Sequence, residues 1–334
     1  MKTMLLAIGG NSLIREGERG TIVEQRANVQ RTAAQIAGLV RAGYRLVLTH
    51  GIGPQVGAAL LRSERAATQV PGHPLDVCGA CTQGEIGYLL QQALIGEFQR
   101  TNLVSRVVTV VTQCLVSPED PAMRHPTKPV GPFYSLAEIL DRQRRFGWDI
   151  VEDASRGYRR VVPSPDPIDI VELETIRYLV AQDVLVIACG GGGVPVVQTG
   201  SGLQGVEAVI DKDLASALLA IRLGLDLFVI STDTDRVFLD YRKPSQRPLK
   251  RIGVEDLERH LEEGQFPPGN MGPKIVSVLR FLRAGGREAV ITSCDNLCSS
   301  VCGTAGTHVS ARVPGTEPTV DRIHETEDQY AERH

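Results

Sequence analysis

The chain has 334 residues and a formal net charge of −3, so it has no global basic field to attract nucleic acid or an acidic membrane surface. Hydrophobic residues make up 42% and aromatics only 4%, which gives a large aliphatic core suited to helices packed on a buried parallel sheet. No apolar run reaches the roughly 18–20 residues of a membrane span, and the seven cysteines, an odd number, argue against a disulfide framework and for reduced thiols in the cytoplasm.

The N-terminal apolar run, 2–8, reads as a strand and stops at Gly9-Gly10, so no signal peptide is expected. After it, short β-rich runs alternate with longer amphipathic segments. Residues 25–42 read as a helix, 45–49 as a strand, 54–68 and 75–98 as helices, and 104–112 as a strand. Residues 118–167 break this rhythm with eight prolines and the single Trp148. An inserted subdomain or lid is expected there, at about 118–165. Alternation resumes with a helix at 168–181, a strand at 183–188, a helix at 213–223 and a strand at 226–231. A helix at 273–284 and a strand at 288–292 complete it. The polar stretch 310–334 is expected to be a disordered tail. Such alternation implies an α/β fold, an αβα sandwich whose central sheet is mostly parallel.

Glycine clusters end three of these strands: Gly9-Gly10-Asn11, Gly51-Ile52-Gly53 and Gly190 to Gly193. Ligands of open α/β sheets bind at the carboxyl ends of strands, so these turns outline one site. Gly9-Gly10 fits either a plain tight turn or a phosphate cradle. Gly51 and Gly53 precede Pro54, which suits a helix start, and a helix N-terminus attracts anions. Consecutive glycines at 190–193 fit a flexible turn, but their entropic cost favours close approach to nucleotide phosphates at Gly191 and Gly192. Neither a P-loop lysine pattern nor a protein-kinase H-R-D and D-F-G set occurs. Cys78 and Cys81 fit packing better than half a metal site. Cys294, Cys298 and Cys302, spaced every four residues, fit either core packing or zinc binding with His308.

In order, Ala7-Ile8-Gly9-Gly10-Asn11, Thr49-His50-Gly51, Gly53-Pro54-Gln55-Val56-Gly57, Pro126-Thr127-Lys128-Pro129-Val130-Gly131, Val206-Glu207-Ala208-Val209-Ile210-Asp211-Lys212-Asp213 and Met271-Gly272-Pro273-Lys274 resemble the motifs of the carbamate kinases, of the amino-acid-kinase superfamily. The resemblance covers about 3–309, the expected kinase domain. It implies an eight-stranded sandwich, a homodimer, and reversible phosphoryl transfer between carbamoyl phosphate and ADP, with Mg²⁺. It further implies that Gly9, Gly10 and Asn11 hold the transferring group and that Gly51 and Gly53 meet the carbamate end. Lys128 would reach in from the lid. Lys212 and Lys274 would neutralise phosphoryl oxygens, with Asp213 fixing both lysines. Thr232, Asp233, Asp235, Met271 and Gly272 would line the nucleotide site. A metal held by protein ligands is not expected.

Such a residue set suits the chemistry. Phosphoryl transfer spreads negative charge over equatorial oxygens, so alignment and cations suffice. Carbamate is already an anion and needs no general base. Ile52 departs from the family's usual Asn at the carbamate end. Glu85, Asn270, Thr234 and Arg236 are lesser departures. Ile52 leaves two alternatives open: another small carboxylate or substituted carbamate as acceptor, or a catalytically weak nucleotide-binding regulator.

Overall fold

The computed structural model describes residues 2–15, 17–153, 156–267 and 269–311; the expected tail from 312 onward and the side chain of Asn11 lie outside the described part. The chain opens with β1 (Thr3–Ile8), α1 (Ile22–Arg41), β2 (Arg45–His50), α2 (Gly53–Ala66) and α3 (Leu75–Arg100). α1 starts at a capping box, in which the Thr21 hydroxyl accepts from the Glu24 N–H and Glu24 accepts from the Thr21 N–H, which satisfies two orphan donors of the first turn. Next come β3 (Arg106–Thr109), β4 (Gln113–Val116), β5 (Lys128–Tyr134), α4 (Leu136–Phe146), β6 (Asp149–Asp153), β7 (Gly157–Val162), β8 (Pro167–Ile170), α5 (Leu173–Ala181) and β9 (Val184–Ile187). The final third holds β10 (Val194–Thr199), β11 (Gly202–Gly205), α6 (Lys212–Leu223), β12 (Leu227–Thr232), β13 (Phe238–Leu239), β14 (Arg247–Pro248), β15 (Arg251–Gly253), α7 (Val254–Glu262), α8 (Met271–Arg283), β16 (Glu288–Ser293), α9 (Leu297–Val301) and β17 (Thr307–Ser310).

The central sheet has eight strands in the order β15-β17-β16-β12-β1-β2-β9-β3. Its neighbours pair in parallel except β16 with β17, which are antiparallel. Met4 to Ile8 are fully buried, as a central parallel strand covered on both faces must be. One face packs Leu5, Ala7 and Phe228 with Ala217 and Phe281 of α6 and α8. The other packs Leu6, Ile8 and Leu48 with Ile36 of α1 and Leu90 of α3. The result is the expected αβα sandwich.

Two segments differ from the sequence reading. Residues 168–181 do not form one helix: Pro167–Ile170 is a strand, antiparallel to β4 in a second sheet ordered β11-β10-β4-β8, and the helix starts at Leu173. Ile168 and Ile170 alternate with Asp169, a period of two that the helix pattern behind them masked. Within 118–165 lies a three-stranded sheet, β5-β7-β6, with α4. Ser310, placed at the start of the tail, closes β17 against Glu288. Among the described residues no helix is long and apolar enough to cross a membrane.

Candidate active site

The strands β12, β1, β2 and β9 are neighbours, so the turns after them stand side by side on the carboxyl edge of the sheet. Gly9 follows β1 so closely against β12 that a Cβ there would lie 2.7 Å from the Ser231 carbonyl oxygen. The turn after β2 carries Gly51 and Gly53 and opens α2 with Pro54 in its first turn. In the turn after β9, Gly191 holds φ +65°, and a Cβ on it would overlap the Ile52 side chain. Only glycine meets both demands.

These turns floor a cavity of about 760 Å³, lined among others by Gly10, Gly51, Ile52, Gly53, Gly191 and Ile210 and by the cations Lys128, Arg159, Lys212 and Lys274. Asp213 sits in its wall, 4% exposed. Its Oδ1 accepts from Lys212 Nζ at 2.6 Å and its Oδ2 from Lys274 Nζ at 2.9 Å. One carboxylate therefore aims two lysines, each at a helix start where the dipole alone disfavours a cation. Lys128 Nζ reaches from β5 to Asp211 Oδ2 at 2.7 Å, while Asp211 Oδ1 caps α6 by accepting from the Asp213 N–H at 2.9 Å.

Burial raises the Asp213 carboxyl, but the two lysines overrule it and hold it far below the usual carboxylate range. Burial lowers the Lys212 ammonium, against the pull of Asp213 and with the push of Lys274. Burial opposes Lys274 too, yet the pull of Asp213, Asp211 and Asp233 carries its ammonium above the ordinary lysine value. Burial also lowers His50 to about 4, so the ring behind Gly51 is neutral at pH 7. Its Nδ1 lies 3.1 Å from the Gly51 carbonyl oxygen, in donor geometry for the tautomer with that nitrogen protonated.

The expected site residues are therefore brought together in part. Gly10, Gly51, Ile52, Gly53, Lys128, Gly191, Lys212, Asp213 and Lys274 line one cavity. Gly9 and Gly192 lie behind it as backbone supports, the latter against the Ile210 carbonyl. Thr232, Asp233, Asp235 and Met271 do not line it, and Gly272 lines a neighbouring cavity of about 940 Å³. Thr232 donates to Asp233 at 3.1 Å, and Asp235 accepts from Asn296 at 2.9 Å, at the end of β12. Sequence reasoning missed Arg159, which no local pattern marks, and the bond from Lys128 to Asp211, which joins distant parts of the chain. Two of the three C-terminal cysteines pack: Cys298 Sγ donates to the Gln35 carbonyl at 3.4 Å, and Cys294 Sγ lies 3.5 Å from the Thr32 hydroxyl, while Cys302 is exposed.

A model of the amino acid kinase family matches residues 2–293. A carbamate kinase of Thermococcus kodakarensis is 47% identical over 313 residues, covering 92% of this chain and 99% of the relative. One from Pyrococcus furiosus is 46% identical over 92% of this chain and 99% of its own length. The solved structure of carbamate kinase from Giardia lamblia bound to AMP-PNP superposes with a TM-score of 0.88 at 42% identity, covering 92% of this chain and 98% of that one.

Proposed function

Because the chain belongs to the amino acid kinase family and is, within it, a carbamate kinase, we propose that the cavity around Lys212, Asp213 and Lys274 is where the phosphoryl group passes between carbamoyl phosphate and ADP. In the direction of ATP synthesis, the bond from phosphorus to the carbamoyl oxygen breaks and one to the terminal oxygen of ADP forms. Carbamate leaves as an anion, so no proton has to move. That matches a site whose carboxylates, Asp211 and Asp213, are both tied to lysines rather than free to act as bases.

The observation that carries this reading is Asp213 with one lysine on each oxygen, beside the glycine turns. Lys212 and Lys274, aimed in a largely buried wall, stabilise charge on the equatorial oxygens where it develops. Gly10 and Gly53 supply backbone N–H groups to the transferring group and the carbamate end, while the Gly51 N–H is held by the Ile8 carbonyl at 3.1 Å and fixes the turn. Lys128 closes over them from the lid at 118–165. Thr232, Asp233, Asp235, Met271 and Gly272 hold the nucleotide, with the charge of Asp233 already felt at Lys274.

The lining offers Mg²⁺ no cage. Asp211 and Asp213 are both taken by lysines, and among the described residues no three His, Cys, Asp or Glu side chains converge as metal ligands. Mg²⁺ would come on the phosphates of the nucleotide, as this ion commonly does. A homodimer in the cytoplasm completes the reading, with exposed Val77, Tyr88 and Ile95 along α3 as apolar surface for a second copy.

The test is ATP formation from ADP, Mg²⁺ and carbamoyl phosphate by the purified chain, against Lys274→Met. Turnover that the substitution abolishes is expected. Background rates in the unsubstituted protein would sink the reading.

A further inference from the structure

β5 and β7 pair Val130 with Arg160 and Tyr134 with Tyr158, and the register shifts in between. Gly131, Pro132 and Phe133 on one strand therefore stand opposite Arg159 alone on the other. Gly131 takes φ +75° to begin the excursion. Bulges of this kind re-aim a side chain and concentrate beside active sites. Here the side chain that fills the bulge is Arg159. Its Nη2 donates to the Gly131 carbonyl at 2.9 Å, and its guanidinium lies 5.1 Å from the Phe133 ring centroid. Gly131 and Arg159 both line the cavity over Gly51, Ile52 and Gly53.

The charges of the lining make the bulge informative. Lys128, Arg159, Lys212 and Lys274 face Asp211 and Asp213. Asp213 answers Lys212 and Lys274 together, and Asp211 answers Lys128. Arg159 makes no ion pair among the described residues, and its Nε is buried without a hydrogen-bond partner. A guanidinium cannot be neutralised by losing its proton and presents donors in a planar fork matched to phosphate or carboxylate oxygens.

We propose that Arg159 is a substrate-binding residue of the lid, its guanidinium gripping the oxyanion of carbamoyl phosphate, with the bulge at Gly131 to Phe133 built to aim it. This rests on the reading of the cavity given above. The arginine is held ready by a carbonyl, a neutral partner that the dianionic substrate outcompetes.

The experiment measures ATP formation by the full chain and its Arg159→Gln and Arg159→Lys variants, varying carbamoyl phosphate and ADP in turn, with thermal unfolding of each protein. The glutamine amide ends where the arginine Nε stands and is too short to grip substrate, so the unfolding midpoint separates gripping substrate from bracing the bulge. The expected result for Arg159→Gln is a KM for carbamoyl phosphate raised about tenfold to a hundredfold, the effect of one lost charge-assisted bond. Its KM for ADP and its unfolding midpoint should be unchanged, and Arg159→Lys should fall in between. Wild-type kinetics in Arg159→Gln, or a rise in both KM values together with a lowered midpoint, would overturn the proposal. If Arg159→Gln does not fold, an unchanged KM for carbamoyl phosphate in Arg159→Lys overturns it. No ATP from the unsubstituted chain would instead overturn the reading of the site.

Discussion

The side chain of Ile52 occupies the space that a methyl group on Gly191 would need. The turns after β2 and β9 are thus locked by an apolar contact at the floor of the cavity, where Ile52 is only 7% exposed. The Ile52 side chain packs into the core on one side and lines the cavity on the other.

Ile52→Asn separates these two duties. The amide loses apolar burial, which costs about 2 kcal/mol of stability, and gains a donor at the carbamate end. One hydrogen bond to a charged group contributes about 1.5–3 kcal/mol. If about half of that is realised in the transition state, kcat/KM for carbamoyl phosphate rises about fourfold to twelvefold. Kinetics and a urea titration on the same preparation check both halves. A variant as stable as the natural protein and no faster would mean that Ile52 faces neither the core nor the substrate.

Asp213→Asn removes the group that aims two lysines. Asparagine can accept from only one of them and turns its NH₂ toward the other. We expect kcat to fall about 10²–10³-fold, as when a preorganised transition-state donor is lost. The folded pKa of Asp213 lies below its unfolded value of 3.8, so its ionic stabilisation is fully present above that value and is lost as pH falls through the folded one. The stability gap between the natural protein and Asp213→Asn should therefore be flat from about pH 5 to 7 and narrow below about pH 4. Denaturant titrations across that range check it, and a gap that widens on acidification would contradict the pairing.

Much of this site was readable in the chain. Glycines at strand ends are local anomalies that a bound anion resolves, and they led to Gly10, Gly51 and Gly53, whereas Lys212 and Lys274 were marked by the resemblance to the carbamate kinases. The central strands were equally plain, since 2–8 and 226–231 are apolar on both faces. What escaped was non-local. Arg159 acquires its role because β5 bulges opposite it, and nothing within a few residues of Arg159 records that. The bond from Lys128 to Asp211 joins residues 83 positions apart. The strand at Pro167–Ile170 depends on β4 as its partner, while the helical run behind it dominates any window that contains both.

His50 gives the fold a pH dependence of its own. Burial lowers its pKa to about 4 from an ordinary 6.5, so between those values the unfolded chain binds a proton that the folded chain does not. Stability must then rise with pH across that window and fall on acidification from about 6.5 toward 4, by at most about 1.4 kcal/mol per pH unit. His50→Gln, which keeps a donor for the Gly51 carbonyl, should flatten this slope. Urea midpoints of the two proteins at pH 4.5, 5.5 and 6.5 measure the difference. Parallel slopes would show that the ring is solvated rather than buried.

Asp211 divides its oxygens between the cap of α6 and Lys128, and two substitutions tell these apart. Asparagine keeps Oδ1 as the cap of α6, whereas alanine loses cap and ion pair together. Asp211→Ala should lose about 1 kcal/mol of stability and Asp211→Asn much less. Both remove a negative charge from the cavity proposed to bind a dianion, so in both the KM for carbamoyl phosphate should fall and become more sensitive to salt. Both also release Lys128 from its tether, so kcat should fall together with KM. That joint fall is the mark of a group that positions a catalytic cation at some cost in ground-state binding. If kcat holds while KM falls, Lys128 finds its place without Asp211, and the carboxylate is a helix cap that happens to lie beside a lysine.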